Sequence, residues 1–285
     1  MCSKVFTRLI LGRIQKAIDD RLREEQSGFR PGRSCTEQIT TLRIIIEQSL
    51  EWRSPLYLNF IDFRKAFDTV DRATMWKFVR HYGVPEKVVE VLQSIYSHTS
   101  RQVIHNNALS LAFEIITGLR QGCLLSPLLF SIVIDWVMKT STDRPTGIQW
   151  TMMNRLEDLD FADDICLLSH TWGDRQKKTT LLQETASKVD LSINGKKTKS
   201  MHMNTRQTEP ITLEGQALDD AEVFTYLGSE VSKKGGKDED IRARICKACH
   251  SFAMLKPIWT SKKLSLNTKI CIFNTNVKTV LLYGS

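Results

Sequence analysis

The stretch Leu159-Asp160-Phe161-Ala162-Asp163-Asp164-Ile165-Cys166-Leu167-Leu168 places two adjacent aspartates between two apolar runs. The apolar residues on both sides predict a partly buried hairpin with Asp163 and Asp164 at its tip. Adjacent carboxylates repel each other unless solvent surrounds them or a cation lies between them. The stretch therefore predicts a place to hold a divalent metal ion, although paired aspartates in a surface turn are also common without any ligand.

A third carboxylate follows a second predicted strand. The run Leu56–Ile61 begins just after Pro55, is rich in residues that favour β-structure, and ends at Asp62. If this strand and the hairpin are neighbours in one sheet, Asp62 converges with the aspartate pair. Three such carboxylates could hold two Mg²⁺ ions, which together clamp the attacking and leaving oxygens of a phosphoryl transfer.

A glycine-containing segment lies between these two acidic sites. Gly118 and Gly122 free the backbone for close approach to a ligand, and Ser126-Pro127 is typical of a helix start. Arg120 and Gln121 would then lie on a loop at a helix start, where they could touch a nucleotide or a template strand. A tight glycine turn before a buried helix would also form without any ligand.

Ordered segments along nearly the whole chain resemble the reverse transcriptases of non-LTR retrotransposons. In chain order these are Gly28-Phe29-Arg30-Pro31-Gly32-Arg33-Ser34, Ile61-Asp62-Phe63-Arg64-Lys65-Ala66-Phe67-Asp68, Gly118-Leu119-Arg120-Gln121-Gly122-Cys123-Leu124-Leu125-Ser126-Pro127-Leu128-Leu129-Phe130, Phe161-Ala162-Asp163-Asp164, Ile193-Asn194 with Lys197-Thr198-Lys199, and Phe224-Thr225-Tyr226-Leu227-Gly228. One such match could arise by chance, but the ordered set is specific.

The resemblance implies a catalytic centre with two Mg²⁺ ions, for which Mn²⁺ could substitute. Asp62 and Asp163 would be metal ligands, Asp164 a weaker third ligand, and the Phe63 carbonyl a further oxygen on the nucleotide side. One ion would activate the primer 3′-hydroxyl, and the other would bind the triphosphate and stabilise the departing pyrophosphate.

The resemblance also implies binding roles outside the acids. The nucleotide-binding residues would be Phe63, Phe67, Arg120, Gln121, Gly122 and Lys197, and the template- or primer-binding residues would be Arg30, Arg33, Tyr226, Leu227 and Gly228. Phe67 would exclude a ribose 2′-hydroxyl, but it would equally serve as a core anchor of the following helix. Either Lys196 or Lys199 could fill the role assigned to Lys197. Residues 224–228 would have the same apolar pattern if they formed only an ordinary edge strand.

The order of predicted elements indicates an α+β fold, an antiparallel sheet with helices packed on one face. Helices are predicted at 5–22, 36–51, 68–82, 85–97 and 174–190, with two more after a glycine-containing break at 233–237. The resemblance implies a right-hand polymerase. Residues 1–55 would be partial fingers, 56–232 the palm with finger-side helices at about 68–98, and 233–285 the start of a helical thumb.

Charge and hydropathy indicate a nucleic-acid partner and no membrane. The net charge is +8, and residues 171–285 hold 19 basic against 12 acidic side chains. Such an excess fits salt-sensitive contact with a phosphate backbone, although a merely solvated surface would look similar. The sequence contains no apolar stretch long enough to span a membrane, and the apolar start at 5–13 carries two arginines and is not a convincing signal peptide.

Cysteine usage predicts a reducing compartment. Seven cysteines occur without a framework spacing, which favours an intracellular protein, nuclear or cytoplasmic, over a secreted one. Cys246-Lys247-Ala248-Cys249-His250 matches the attachment signature of c-type haem, but it falls inside a helical pattern and has no second ligand pair. We interpret that match as a coincidence.

Three functions follow from these observations. The first is an RNA-directed DNA polymerase that uses an RNA template, a DNA primer and dNTPs, within a longer parent polyprotein that supplies the missing finger and endonuclease regions. The second is a truncated, inactive remnant that still binds nucleic acid. The third, with the least support, is a Mg²⁺-dependent phosphohydrolase that uses Asp62 and the acidic pair.

Overall fold

The structure is a computed structural model that describes residues 2–97, 99–207 and 209–284. Met1, His98, Thr208 and Ser285, which fall in the predicted finger, palm and thumb ranges, lie outside the described residues. The helices are α1 (Cys2–Asp19), α2 (Cys35–Trp52), α3 (Ala66–Thr69), α4 (Arg72–His81), α5 (Glu86–Tyr96), α6 (Ser126–Ser141), α7 (Trp172–Ser187), α8 (Asp238–Met254), α9 (Lys256–Thr260), α10 (Leu266–Phe273), a π-helical turn (Asn274–Lys278) and α11 (Thr279–Leu282).

The strands are mostly short. They are β1 (Leu56–Ile61), β2 (Ser100–Arg101), β3 (Ile104–His105), β4 (Ala108–Leu109), β5 (Phe113–Glu114), β6 (Ile148–Gln149), β7 (Arg155–Leu156), β8 (Asp158–Phe161), β9 (Asp164–Ser169), β10 (Lys199–Met203), β11 (Thr212–Leu213), β12 (Gln216–Ala217), β13 (Asp219–Asp220), β14 (Val223–Tyr226) and β15 (Ser229–Ser232). Five of them form the central sheet, in the order β13-β10-β1-β9-β8.

Strand β1 lies at the centre of this sheet. It pairs antiparallel with β10 on one side and with β9 on the other, where Ile61 lies opposite Ile165. Strands β8 and β9 form the predicted hairpin, and β10 pairs parallel with the short edge strand β13. The expectation that the strand before Asp62 neighbours the acidic hairpin is therefore confirmed.

The sheet is covered on both faces. Leu58 and Phe60 face a core that includes α2 and the β14–β15 hairpin, whereas Ile61 and Leu167 face a core built with α4, α6 and α7. The predicted α+β class is confirmed, but the placement of helices on one face is wrong. Every side chain of β1 is buried, so each face of the central strand needs a cover.

Several helix boundaries differ from the prediction for local reasons. Helix α1 ends at Asp19, while the apolar pattern continues to the buried Leu22 in the following turn. The helix predicted at 68–82 is divided, because the Asp71 carboxylate accepts hydrogen bonds from the first turn of α4. After residue 237 the long helix α8 is followed by several short helical segments instead of one further helix, because Pro257 and the N-cap Ser265 start new ones.

No helix within residues 2–97, 99–207 and 209–284 is both long and apolar enough to cross a membrane.

The packing of α2 on the second face of the sheet can be tested with Leu42→Ala. Leu42 is fully buried, so the cavity should lower the free energy of unfolding by about 2 to 5 kcal/mol. Ile44 lies on the same helix and is 41% exposed, so Ile44→Ala should change it by less than about 0.5 kcal/mol. Urea denaturation of both variants measures the difference, and equal losses would contradict this placement of α2.

Candidate active site

The acidic hairpin turns within two residues. Phe161 and Asp164 form the last pair of the β8–β9 ladder, so Ala162 and Asp163 make the loop between them. Ala162 adopts a left-handed conformation with φ 58° and is buried. Ile165, directly after the pair, is also buried in the core. Buried residues on both sides of the turn, Ala162 and Ile165, therefore hold the tip that carries Asp163.

Asp62 reaches the same place from strand β1. The pairing of Ile61 with Ile165 sets the following Asp62 beside Asp164, and both line a cavity of about 240 Å³ together with Lys197 and Tyr226. The backbone at Asp62 is held as well, since its carbonyl accepts from Asn194 N at 2.7 Å. The structure thus brings Asp62 and Asp164 together at one end of the sheet.

The site holds more negative charge than its partners neutralise. Partial burial and the neighbouring Asp62 carboxylate raise the pKa of Asp163. The pKa of Asp164 is raised to about 6, mainly by partial burial and then by the neighbouring carboxylates of Asp163 and Asp62, although part of the side chain is open to water. The Oδ2 atom of Asp62 is buried without a hydrogen-bond partner, and Lys197 Nζ lies 3.7 Å from Oδ1.

This donor set fits a divalent cation by its chemistry. Hard cations prefer carboxylate oxygens, and a cation would supply the charge that the crowded aspartates and the orphaned Asp62 oxygen lack. Within the described residues, however, no three His, Cys, Asp or Glu side chains stand in the arrangement of an assembled metal site. Asp62 is close enough to raise the pKa of Asp163 and of Asp164, and an ion would have to draw the three carboxylates together.

The glycine loop packs against the segment that follows Asp62. Leu119 N donates to the Phe67 carbonyl at 2.7 Å, and Gln121 Nε2 donates to Asp68 Oδ1 at 3.1 Å. Gly118 has φ 71°, and a Cβ there would lie 2.4 Å from the Asp68 carbonyl oxygen. Gln121 is therefore held against Asp68 in α3, six residues after Asp62. Gly122, next to it, is exposed and has φ 80°.

Arg120 turns the other way. Its Nη1 atom donates to the Ile95 carbonyl at 3.2 Å, although the side chain stays exposed. The two polar residues of the predicted nucleotide loop are thus separated. Gln121 contacts Asp68 in α3, and Arg120 contacts the end of α5.

The two phenylalanines of the first motif have different surroundings. Phe63 is 6% exposed and belongs to the core, so only its backbone carbonyl is suited to the predicted role. Phe67 is half-buried, stacks on Phe130 with ring centroids 4.2 Å apart, and meets the edge of Phe29 at 6.3 Å. Phe67 therefore packs on the core and still presents part of its ring to solvent.

Arg30 and Arg33 occupy contrasting environments. The Arg30 side chain is 9% exposed, and its guanidinium donates to Asp19 Oδ1 and to the Arg23 carbonyl, both at 2.6 Å. These bonds hold the loop between α1 and α2, and the structure does not bring Arg30 to the acidic site. Arg33 is exposed and lines a separate groove of about 860 Å³.

The β14–β15 hairpin borders the acidic cavity. Tyr226 is buried, and its hydroxyl donates to the Leu159 carbonyl at 3.0 Å, which ties the hairpin to β8. Leu227 and Gly228 form its turn with φ 49° and 82°. A Cβ on Gly228 would lie 2.9 Å from the Tyr283 ring, so the turn is in close contact with the C-terminal segment.

Sequence reasoning missed the polar residues that support the hairpin from behind. The buried Gln26 accepts hydrogen bonds at Oε1 from Gly28 N and Ala162 N, at 2.6 and 3.2 Å. Arg23 forms ion pairs with Asp135, Asp158 and Asp160. Two aspartates alternating with apolar residues in a predicted strand signal a buried cation nearby, but not which residue supplies it.

The chain belongs to the reverse transcriptase (RNA-dependent DNA polymerase) family, whose model matches residues 1–231. A second model, a domain of unknown function, matches residues 251–283. Reverse transcriptases generally use divalent metal ions. The predicted membership is thereby confirmed.

The relatives belong to mobile elements. A Pol polyprotein from the type-2 retrotransposable element R2DM of Drosophila melanogaster is 28% identical over 72% of this chain and 18% of the relative. A probable RNA-directed DNA polymerase from transposon BS, also of Drosophila melanogaster, is 27% identical over 99% of this chain and 32% of the relative. The chain thus spans less than a third of the length of these two relatives.

A solved telomerase shares the fold. The telomerase of Candida tropicalis, in complex with a fragment of telomeric RNA, superposes on 96% of this chain and 45% of its own with a TM-score of 0.58. The two sequences are 14% identical, so this likeness concerns the polymerase fold alone.

The contact between Gly28 and the hairpin turn yields a testable prediction. A Cβ on Gly28 would lie 2.2 Å from Ala162 N, so Gly28→Ala should displace the turn and lower the free energy of unfolding by about 1 to 3 kcal/mol. Gly12 in α1 has open space around it, so Gly12→Ala should raise that energy by about 0.5 to 1 kcal/mol. Thermal and urea denaturation check both signs, and a neutral Gly28→Ala would refute the contact.

Proposed function

We propose that this chain forms the catalytic part of an RNA-directed DNA polymerase, which adds dNTPs to a primer 3′-hydroxyl on an RNA template. The observation that carries the proposal is the pairing of β1 with β9, which sets Asp62 beside the Asp163-Asp164 turn within the family's order of motifs. The names of the mobile-element relatives support the same reaction. Residues 1–55, 56–232 and 233–285 would be partial fingers, palm and the start of the thumb.

Asp62, Asp163 and Asp164 would hold two Mg²⁺ ions, or Mn²⁺ in their place. When bound, the ions would lower the pKa of the primer hydroxyl and neutralise charge on the triphosphate. The orphaned Oδ2 of Asp62 and the crowded carboxylates support this assignment. Binding of cations would offset the burial and the neighbouring carboxylates that together raise the pKa values of Asp163 and Asp164.

Three further predicted residues would bind and orient the nucleotide. Lys197 is 70% exposed and lies next to Asp62, which suits a point charge on the triphosphate. Gln121 would contact the incoming nucleotide from the glycine loop, where Asp68 orients it. Phe67 would close the sugar pocket with the open side of its ring, because its stacking on Phe130 prevents it from yielding to a 2′-hydroxyl.

Template and primer would lie along the outer surfaces. Arg33 is the better placed of the two predicted arginines, because Arg30 uses its donors within the protein. The Leu227-Gly228 turn would support the primer end, and the basic excess of residues 171–285 would attract the phosphate backbone. We propose an intracellular, reducing compartment, nuclear or cytoplasmic, and a longer parent polyprotein that supplies the remaining domains.

Asp163→Asn tests this proposal. We expect primer extension on RNA templates with Mg²⁺ to fall by more than about 100-fold, because a metal ligand should matter more than residues behind ligands, which cost about 10- to 100-fold. Mg²⁺ should also raise the melting temperature of the parent more than that of the variant. Asp190→Asn, at an exposed carboxylate that lines neither the acidic cavity nor the groove of Arg33, is the control and should keep full activity.

Equal extension by the parent and Asp163→Asn would overturn the polymerase assignment. Salt-sensitive binding to RNA–DNA duplex without any incorporation would favour an inactive nucleic-acid-binding remnant instead. Release of phosphate from small esters without a template would favour the phosphohydrolase.

The sugar-selecting role of Phe67 makes a separate prediction. Phe67→Ala should raise the ratio of rNTP to dNTP incorporation by about tenfold or more, because the shortened side chain leaves room for a 2′-hydroxyl. Single-nucleotide extension with each substrate measures this ratio. If Phe67 is only a core anchor, both incorporations should fall together and the ratio should stay constant.

A further inference from the structure

Arg23 connects the acidic hairpin to the rest of the fold. It lies between α1 and α2 with its side chain 13% exposed, and its Nη1 lies 3.0 Å from Asp158 Oδ1. Its Nη2 pairs with Asp160, and its Nε lies 3.4 Å from Asp135 Oδ1. One guanidinium thus bridges two alternate residues of β8 and a residue of α6.

The partners of Arg23 lie on β8, the strand that leads into the turn, and on helix α6. Asp160 is three residues before Asp163 and lies opposite Ile165 in the β8–β9 ladder. Asp135 lies on α6, the helix that follows the glycine loop, and also accepts a hydrogen bond from the hydroxyl of Tyr82, the residue directly after α4. Arg23 N donates to the same carboxylate at 3.0 Å, so the backbone of the α1–α2 loop joins the cluster.

The residues after Arg23 continue this contact up to the turn. Ser27 N donates to the Asp160 carbonyl at 2.9 Å, and Asp160 N donates to the Glu25 carbonyl at 3.3 Å. Gln26 then reaches Ala162 N with its side-chain oxygen. Moving the segment that Arg23 fixes would therefore move the backbone next to Asp163.

The cluster depends on the arginine. Asp135, Asp158 and Asp160 have no solvent-exposed surface, and three buried carboxylates without a cation would be strongly unfavourable. Burial and the nearby Asp158 also raise the pKa of Asp160 well above its usual value, even with Arg23 beside it. Lysine could neutralise charge here, but its single ammonium cannot contact three carboxylates in the manner of the planar fork.

We propose that Arg23 is a positioning residue for the reaction, which holds β8 against α6 so that the Ala162-Asp163 turn presents Asp163 in the ligand geometry. This role rests on the proposed polymerase function. It predicts that loss of Arg23 loosens the turn and weakens metal use, while the binding of nucleotide through Lys197 and Gln121 remains.

Arg23→Met and Arg23→Lys test this role in the full chain. For Arg23→Met we expect kcat of primer extension to fall by about 10- to 100-fold and the Mg²⁺ concentration for half-maximal rate to rise, because partners behind metal ligands typically have effects of this size. The KM for dNTP should change by less than about twofold. Arg23→Lys should recover part of kcat and of the Mg²⁺ response.

Arg175→Met is the matched control. Arg175 is another buried arginine, 1% exposed, but it lies on α7 and contacts the Tyr57 ring and the Met201 carbonyl. Its loss should lower stability while the folded fraction keeps the parent's kcat and Mg²⁺ dependence. If both arginine variants lose activity only in proportion to their folded fraction, Arg23 is merely structural and the inference is wrong.

A second readout does not require activity. Hydrogen–deuterium exchange of peptides covering 159–168 should be faster in Arg23→Met than in the parent, whereas Arg175→Met should leave these amides protected. Mn²⁺ affinity, measured by electron paramagnetic resonance, should fall in Arg23→Met. A parent without Asp163-dependent extension would refute the proposed function, but unchanged exchange and Mn²⁺ affinity in Arg23→Met would refute the positioning role.

Discussion

The antiparallel register of β1 and β9 is the constraint on which the rest of the site depends. Ile61 lies opposite Ile165, so the aspartates that follow Ile61 and precede Ile165 come together at one end of the sheet. A slip by one residue would turn every side chain of the strand to the other face and separate these acids. Such a slip is prevented because both faces of β1 are buried, each against its own core.

The same sheet has to accommodate opposite electrostatic demands. At its open end, Asp163 and Asp164 remain crowded and only partly neutralised, a state that suits the capture of a cation. On β8, before the turn, Asp158 and Asp160 are buried completely, and the guanidinium of Arg23 neutralises their negative charge. The protein thus supplies its own cation to the buried carboxylates, and leaves the carboxylates of the proposed metal site only partly neutralised.

The sequence predicted the fold class and the main elements, but not which helices cover each face of the sheet. Apolar periodicity located β1, the acidic hairpin and α2 to within a few residues, because local pattern and local structure agree there. The prediction that helices pack on one face was wrong, because the sequence of an apolar strand does not indicate which helices pack on it. Asp71 divided a predicted helix because a capping carboxylate outweighs the continuing pattern.

The sequence by itself indicated the family, because ordered motifs along the chain resemble those of reverse transcriptases, and it predicted which aspartates would form the site. Only the tertiary structure showed which arginine side chains form contacts within the protein and which remain exposed. Arg30 and Arg33 are three residues apart in one motif, yet Arg30 is enclosed by carbonyls and Asp19 while Arg33 stays in water. Arg23 lies outside every motif, and nothing in the sequence indicated its role. Its partners are 112 to 137 positions away along the chain, and only folding makes them neighbours.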